Sequence, residues 1–387
     1  VSRRRFLTRV GTAGVGAVML GAGLSDCSTP GLAQAPVLDA VTDESRTRRI
    51  VRFANWIREI DTSPTGGHPT LAEFTRQTGI RVDYNGFIAD ANQAIGVIGI
   101  ALAAGQDPGW DLVVMADWVL AQFVEQGWAA ELSPGTLTEA WRLEPRFRDW
   151  PVPDLRRYSL PWVAGFTGIG YNINETHRPI TSMTDLLTAP DLRGRVSLVA
   201  EMRDVVGLLL LDQGSDPTDF TPAEFGAAIT MLERAVSAGQ VRIVTDNYLP
   251  YLLNPKSPVA AGVAWGGDIL ASRPVNPALR FTWPKGGGML WTDNMMIPAL
   301  TPVQENAERL MNFYYQPHAA AQLAAWMQYI CPVHGTKTAM RQLDPALAQA
   351  DQIFPSAALL QSGHYFKILN KAQITSYTTA FQTAVGL

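Results

Sequence analysis

Residues 50–56 read IVRFANW, 71–78 LAEFTRQT, 80–86 IRVDYNG and 111–117 DLVVMAD, and this succession decides the fold. The first run is short and rich in β-branched and aromatic residues, the second places its apolar residues on one helical face, and the third is strand-like again. Gly79 closes the helical run. DLVVMAD is a short apolar strand ahead of a helix that ends by Gly127. Parallel neighbours need a crossover, so strand alternating with helix predicts an α/β fold with a mostly parallel sheet.

Outward from this core, a second series follows the glycine-studded LPWVAGFTGIGYNIN at 160–174. Helix starts are predicted at TPAE (221–224) and TPVQ (301–304), each with a capping hydroxyl, proline at the first helical position and Glu or Gln at the third. GFTGIG (165–170) has the wrong spacing for a dinucleotide turn, and its glycines read as points where another backbone passes closely. Towards the N-terminus, residues 36–47 lack any hydrophobic period and read as a linker. Before them, SRRRFLTRV supplies a twin-arginine start, and the run Val10–Leu24 is too short and glycine-rich for a membrane span. Residues 1–35 are therefore expected to be an export signal. Cleavage is expected at Ala33-Gln34-Ala35; the alternative is lipidation at Cys27, whose box is spoiled by Asp26. Either route puts the protein outside the cytoplasmic membrane.

The chain has 387 residues, 47% of them hydrophobic, which is enough for two ordinary domains and too apolar for disorder. Its formal charge of −4 falls to about −7 without residues 1–35, and no basic run carries interleaved aromatics, so nucleic acid is excluded as a partner. Cys27 and Cys331 give no disulfide framework. The sequence contains no G-x-S-x-G, Walker or H-E-x-x-H motif, and CPVH (331–334) has a ligand-like gap but no second pair. Neither a metal nor a cofactor is expected, and no nucleophile and base stand out.

What recurs is an aromatic ring beside an acid at the ends of apolar runs: Trp56 with Glu59, Asp117 with Trp118, Trp265 with Asp268, and Trp291 with Asp293, with Glu201 and Asp204 forming a further acidic pair. In a strand, residues i and i+2 share a face, so Trp291 and Asp293 look out together. One such pair is an ordinary edge. Repeated beyond the carboxyl ends of strands, where open α/β sheets bind ligands, the arrangement suits an alkyl chain carrying ammonium groups.

Seven blocks, in order NWIREID, LAEFTRQTGIRVDY, DLVVMADW, LPWVAGFTGIGYN, VAWGGD, WPKGGGMLWTDNMMIPA and NFYYQPHAAAQLAAWMQY, together resemble the spermidine/putrescine-binding proteins of bacterial ABC importers. The resemblance covers nearly all of residues 50–370. It implies a two-lobed, type II periplasmic binding protein with ligand in the interlobe cleft. Lobe one would comprise 48–162 plus 292–335, and lobe two 163–291 plus 336–387. By position, Trp56, Trp118, Trp265, Trp291 and Tyr329 match the family's aromatic box, Asp204 and Asp293 its amine-binding carboxylates, Glu201 a further acid, and Asp268 the acid of putrescine-type members. Glu59, Asp117 and Phe366 are secondary candidates. Arg58 and Glu59 replace an acid and a tyrosine, Phe366 stands where the spermidine type has glutamine, and TSPTGGHP (62–69) lengthens the first loop. The implied protein is a monomeric receptor that captures a polyamine and hands it to a membrane permease without chemistry. Two other readings are the same fold binding another organic cation or an amino-acid derivative, which Arg58 favours, and a secreted hydrolase using a carboxylate pair such as Asp268 and Asp293.

Overall fold

A computed structural model describes residues 41–148 and 154–387, all within one compact unit. The twin-arginine segment, the Ala35 site and Cys27 lie outside these residues. β1 (Ile50–Trp56) leads into α1 (Pro69–Thr78), which starts on a proline and stops where Gly79 turns left-handed at φ 69°. β2 (Arg81–Ile88) and β3 (Leu112–Ala116) follow, and β3 runs directly into α2 (Asp117–Glu125). The later elements are β4 (Ser159–Asn172), β5 (Val196–Leu198), α3 (Met202–Asp212), α4 (Pro222–Ser237), β6 (Val241–Val244), β7 (Ala261–Trp265) and α5 (Gly266–Ser272). β8 (Leu279–Thr282), β9 (Gly288–Met296), α6 (Gln304–Tyr314) and β10 (Gly363–His364) complete the frame. Among the described residues, no helix is long and apolar enough to cross a membrane.

The strands form a sheet in the order β2-β1-β3-β9-β4-β7-β5-β6, with β8 added to β4 and β10 to β9. Its flanks are parallel, β1 with β2 and β3, β5 with β6 and β7, as strand–helix alternation predicts. Its centre is not. β9 runs antiparallel to β3 and β4, and β4 antiparallel to β7, so these two long strands tie the flanks together. All but the last residue of β4 is buried, and its glycines serve close passage as expected. A Cβ on Gly168 would lie 2.6 Å from the Thr282 carbonyl oxygen, and one on Gly165 would collide with the Trp291 ring.

Apolar side chains on these strands, among them Val51, Phe53, Val113 and Met115, are fully buried. Burying each such Val, Phe or Met side chain stabilises the fold by about 1.5–3 kcal/mol.

The two predicted helix starts turn out differently. At α4 the capping box is complete: Thr221 Oγ1 accepts the Glu224 amide, and the Glu224 carboxylate accepts the Thr221 amide at 2.7 Å. At TPVQ the helix begins only at Gln304, and the Thr301 hydroxyl donates instead to buried Asp111 at 2.7 Å. Asp111 also takes the Arg52 guanidinium, and a buried carboxylate needs every donor it can reach. The cap of α6 comes from afar, with Asp43 accepting the Glu305 amide at 2.8 Å and Ser45 Oγ accepting the Asn306 amide at 3.1 Å. Residues 43–48 are therefore part of the fold rather than the end of a linker. The CPVH gap holds no pair either, since Cys331 is buried while exposed His334 meets Glu144 at 3.2 Å.

Candidate functional site

The parallel strands β1, β3, β5 and β7 each end in candidate residues. Trp56 closes β1 and Glu59 follows in the turn; Asp117 and Trp118 open α2 after β3. Glu201 and Asp204 begin α3 after β5, and Trp265 closes β7 with Asp268 in the first turn of α5. Trp291 and Asp293 come from central β9, with Asp293 paired to Ala116 next to Asp117. Because β9 and β4 run antiparallel between the flanks, β5 and β7 run opposite to β1 and β3, and the carboxyl ends of the two flanks meet: Glu59 feels the charges of Asp293 and Asp268, and Asp293 those of Asp117 and Asp204.

Asp204 is 7% exposed, and its Oδ2 accepts the Trp265 indole N–H at 2.8 Å. Burial and then the charge of Glu201 push its pKa to about 7. Asp293 is 8% exposed and is pushed to about 8, by burial and then by Asp117 and Asp204. Asp117 is raised by burial to about 6, although its Oδ2 accepts the Thr292 amide at 3.4 Å. Asp268 accepts the Tyr329 hydroxyl at 2.7 Å on one oxygen and the Tyr248 hydroxyl at 2.9 Å on the other, and burial still raises its pKa. Glu59 is held well above the carboxylate range by burial, then by Asp293 and Asp268. Its Oε2 is buried with no hydrogen-bond partner, as is the indole Nε1 of Trp56. Glu59, Asp204, Asp268 and Asp293 make no ion pair among the described residues. Buried acids without counter-charge hold protons until a cation replaces them.

The aromatic candidates stand among these acids. Trp291 donates its indole N–H to Thr167 at 3.0 Å and meets Tyr329 edge-on, with centroids 5.4 Å apart. The Trp118 face is covered by the Arg203 guanidinium, 3.7 Å from the ring centroid. Phe366 packs on Phe220 at 5.0 Å, and among the described residues no hydrogen bond or ring contact joins it to the other candidates.

Sequence reasoning missed Arg203, Tyr248, Thr167 and Asp246. Asp246 accepts the Ala200 amide at 2.7 Å and is pushed to about 6 by burial, with a further contribution from Glu201. Arg203 was legible as the cation inside EMRD at 201–204, next to both acids. Tyr248 and Asp246 lie in a loop with no aromatic–acid repeat to flag them.

Acids and rings gathered beyond the carboxyl ends of strands, on a sheet whose two flanks share crossing strands, define the class: a type II periplasmic binding protein. More particularly, the chain belongs to the bacterial extracellular solute-binding protein family, whose sequence pattern matches residues 70–355. It is similar to the spermidine/putrescine-binding periplasmic protein of Escherichia coli, 28% identical over 81% of this chain and 85% of that one. It is also similar to the E. coli putrescine-binding periplasmic protein PotF, 25% identical over 84% of this chain and 88% of that one. Among solved structures, the spermidine/putrescine ABC transporter substrate-binding protein PotD of Streptococcus pneumoniae shares the fold, with a TM-score of 0.73 at 21% identity. That match covers 87% of this chain and 98% of the other.

Proposed function

We propose that the protein is the extracytoplasmic receptor of an ABC importer for a linear polyamine of the putrescine/spermidine class. The observation that carries this reading is the set of desolvated carboxylates Glu59, Asp204, Asp268 and Asp293, which make no ion pair among the described residues and are interleaved with aromatic rings. Ammonium groups satisfy the carboxylates, and indole faces cover the methylenes between them. The names of the E. coli relatives support the same ligand class.

In this reading Trp291, Tyr329, Asp293 and Glu59 hold one aminoalkyl end, and Trp265 with Asp204 and Asp268 receives the next amine. Trp56 lines the wall. Residues 48–162 with 292–335 form one lobe, 163–291 with 336–387 the other, and they close around the ligand. The receptor is exported by its twin-arginine segment, is released near Ala35 or anchored through Cys27, and works as a monomer that meets the permease without altering its cargo. The hydrolase reading is weakened by Asp268, both of whose oxygens accept phenol hydrogens.

One observation favours a second reading. Arg58, left-handed at φ 71°, places a charge near enough to Asp268 to oppose its upward shift, which suits a cationic ligand that also bears a carboxylate.

Calorimetry and thermal shift with putrescine, cadaverine, spermidine, agmatine and butylamine, and with the carboxylate-bearing amines 4-aminobutyrate and arginine, test the proposal. A diamine or triamine is expected to bind at least tenfold tighter than butylamine, about 1.4 kcal/mol. Equal competition by butylamine, or a response only to amino-acid derivatives, would transfer support to the second reading.

A further inference from the structure

The subsite formed by Trp118 and Glu201 already contains a cation. The Arg203 guanidinium lies 3.7 Å from the Trp118 centroid, its Nη1 is 3.2 Å from Glu201 Oε1, and only 11% of its side chain is exposed. The same Glu201 oxygen also accepts the Arg203 amide as the cap of α3. Glu201 and the Trp118 face are thus both engaged by one residue, reaching from the β5 flank of the sheet to the β3 flank. Guanidinium over indole is the arrangement an ammonium group would otherwise adopt there.

The rest of the acid cluster is different. Glu59 Oε2 has no partner, and neither Glu59 nor Asp293 has a cation among the groups that shift it. Asp117, by contrast, feels Arg203 as a charge that opposes its upward shift. Positive charge from a ligand is therefore wanted at Asp293, Glu59 and Asp204, and is already supplied at Glu201 and Trp118.

We infer that Arg203 is a specificity-determining residue: it fills the Trp118–Glu201 subsite with the protein's own cation, so the cleft takes a short linear diamine in preference to a triamine. This rests on the polyamine reading above. A third ammonium reaching Trp118 would meet a guanidinium already on that face, with like-charge repulsion and no free carboxylate oxygen pair to answer it.

The test compares putrescine and spermidine affinities by calorimetry for the wild-type protein, Arg203→Ala and Arg203→Lys, each first checked for a cooperative melt. Wild type is expected to bind putrescine at least as tightly as spermidine. Arg203→Ala is expected to shift the ratio towards spermidine by tenfold or more, and Arg203→Lys, which keeps a cation on the indole, to hold the wild-type ratio. A wild-type preference for spermidine of tenfold or more, or a ratio unmoved in Arg203→Ala, overturns the inference and leaves the polyamine reading standing. Failure of wild type to bind any diamine or triamine overturns both.

Discussion

Asp293 is buried among like charges, flanked by Asp117 and Asp204 and facing Glu59, so its ionised form is costly until a cation arrives. Replacing it with asparagine removes the charge but keeps the shape. Asp293→Asn is expected to weaken diamine binding by about 2–5 kcal/mol, the range for stranding one member of a desolvated charge pair. The same change is expected to raise the melting temperature of the ligand-free protein at pH 8.5, because it deletes a carboxylate the fold raises to about 8. Calorimetry and thermal melts read both, and unchanged affinity would return Asp293 to a structural role. At this scale the sequence named the acids and rings by their repetition. It did not show that Arg203 already serves Trp118 and Glu201, because a cation between two acids reads locally as a salt bridge and its reach to Trp118 depends on how the sheet is folded.

Between elements, local signals succeed where the segment's own atoms decide the outcome. β1, α1 and the capping box of α4 emerge as the residues dictate. TPVQ misleads because Asp111, far away in sequence, captures the Thr301 hydroxyl, and α6 is capped by Asp43 and Ser45. Two substitutions separate these roles. Ser45→Ala is expected to cost about 0.5–2 kcal/mol, as loss of a helix cap does. Thr301→Val is expected to cost about 1–3 kcal/mol by leaving a buried carboxylate short of a donor. Urea unfolding checks both, and a neutral Ser45→Ala would mean that residues 43–48 contribute little to holding α6.

Across the whole molecule, strand–helix alternation made the parallel flanks legible but not the antiparallel centre, since the pairing of β4 with β9 joins segments more than a hundred residues apart. That centre brings acids from β1, β3, β5, β7 and β9 into one cluster, and the cluster ties stability to pH. Asp117 and Asp246 sit at about 6, Asp204 at about 7 and Asp293 at about 8. Each folded-state value lies above the unfolded one, so the native state binds more protons between them. These groups therefore favour the ligand-free fold most below about pH 4, and that contribution is lost progressively as pH rises from there through the folded values of about 6 to 8. Thermal melts of the ligand-free protein should show their midpoint declining over this window, less steeply in Asp293→Asn.

A cation entering the cluster returns these carboxylates to their ionised form, so binding must release protons in the same window. Calorimetric titration with putrescine from pH 5.5 to 8.5, repeated in buffers of different ionisation enthalpy, measures that release directly. Affinity is expected to rise with pH and level off above about 8, with net proton release near pH 7 that vanishes at the alkaline end. Binding that is independent of pH and releases no protons would contradict the claim that buried, unpaired acids are what the ligand's ammonium groups satisfy.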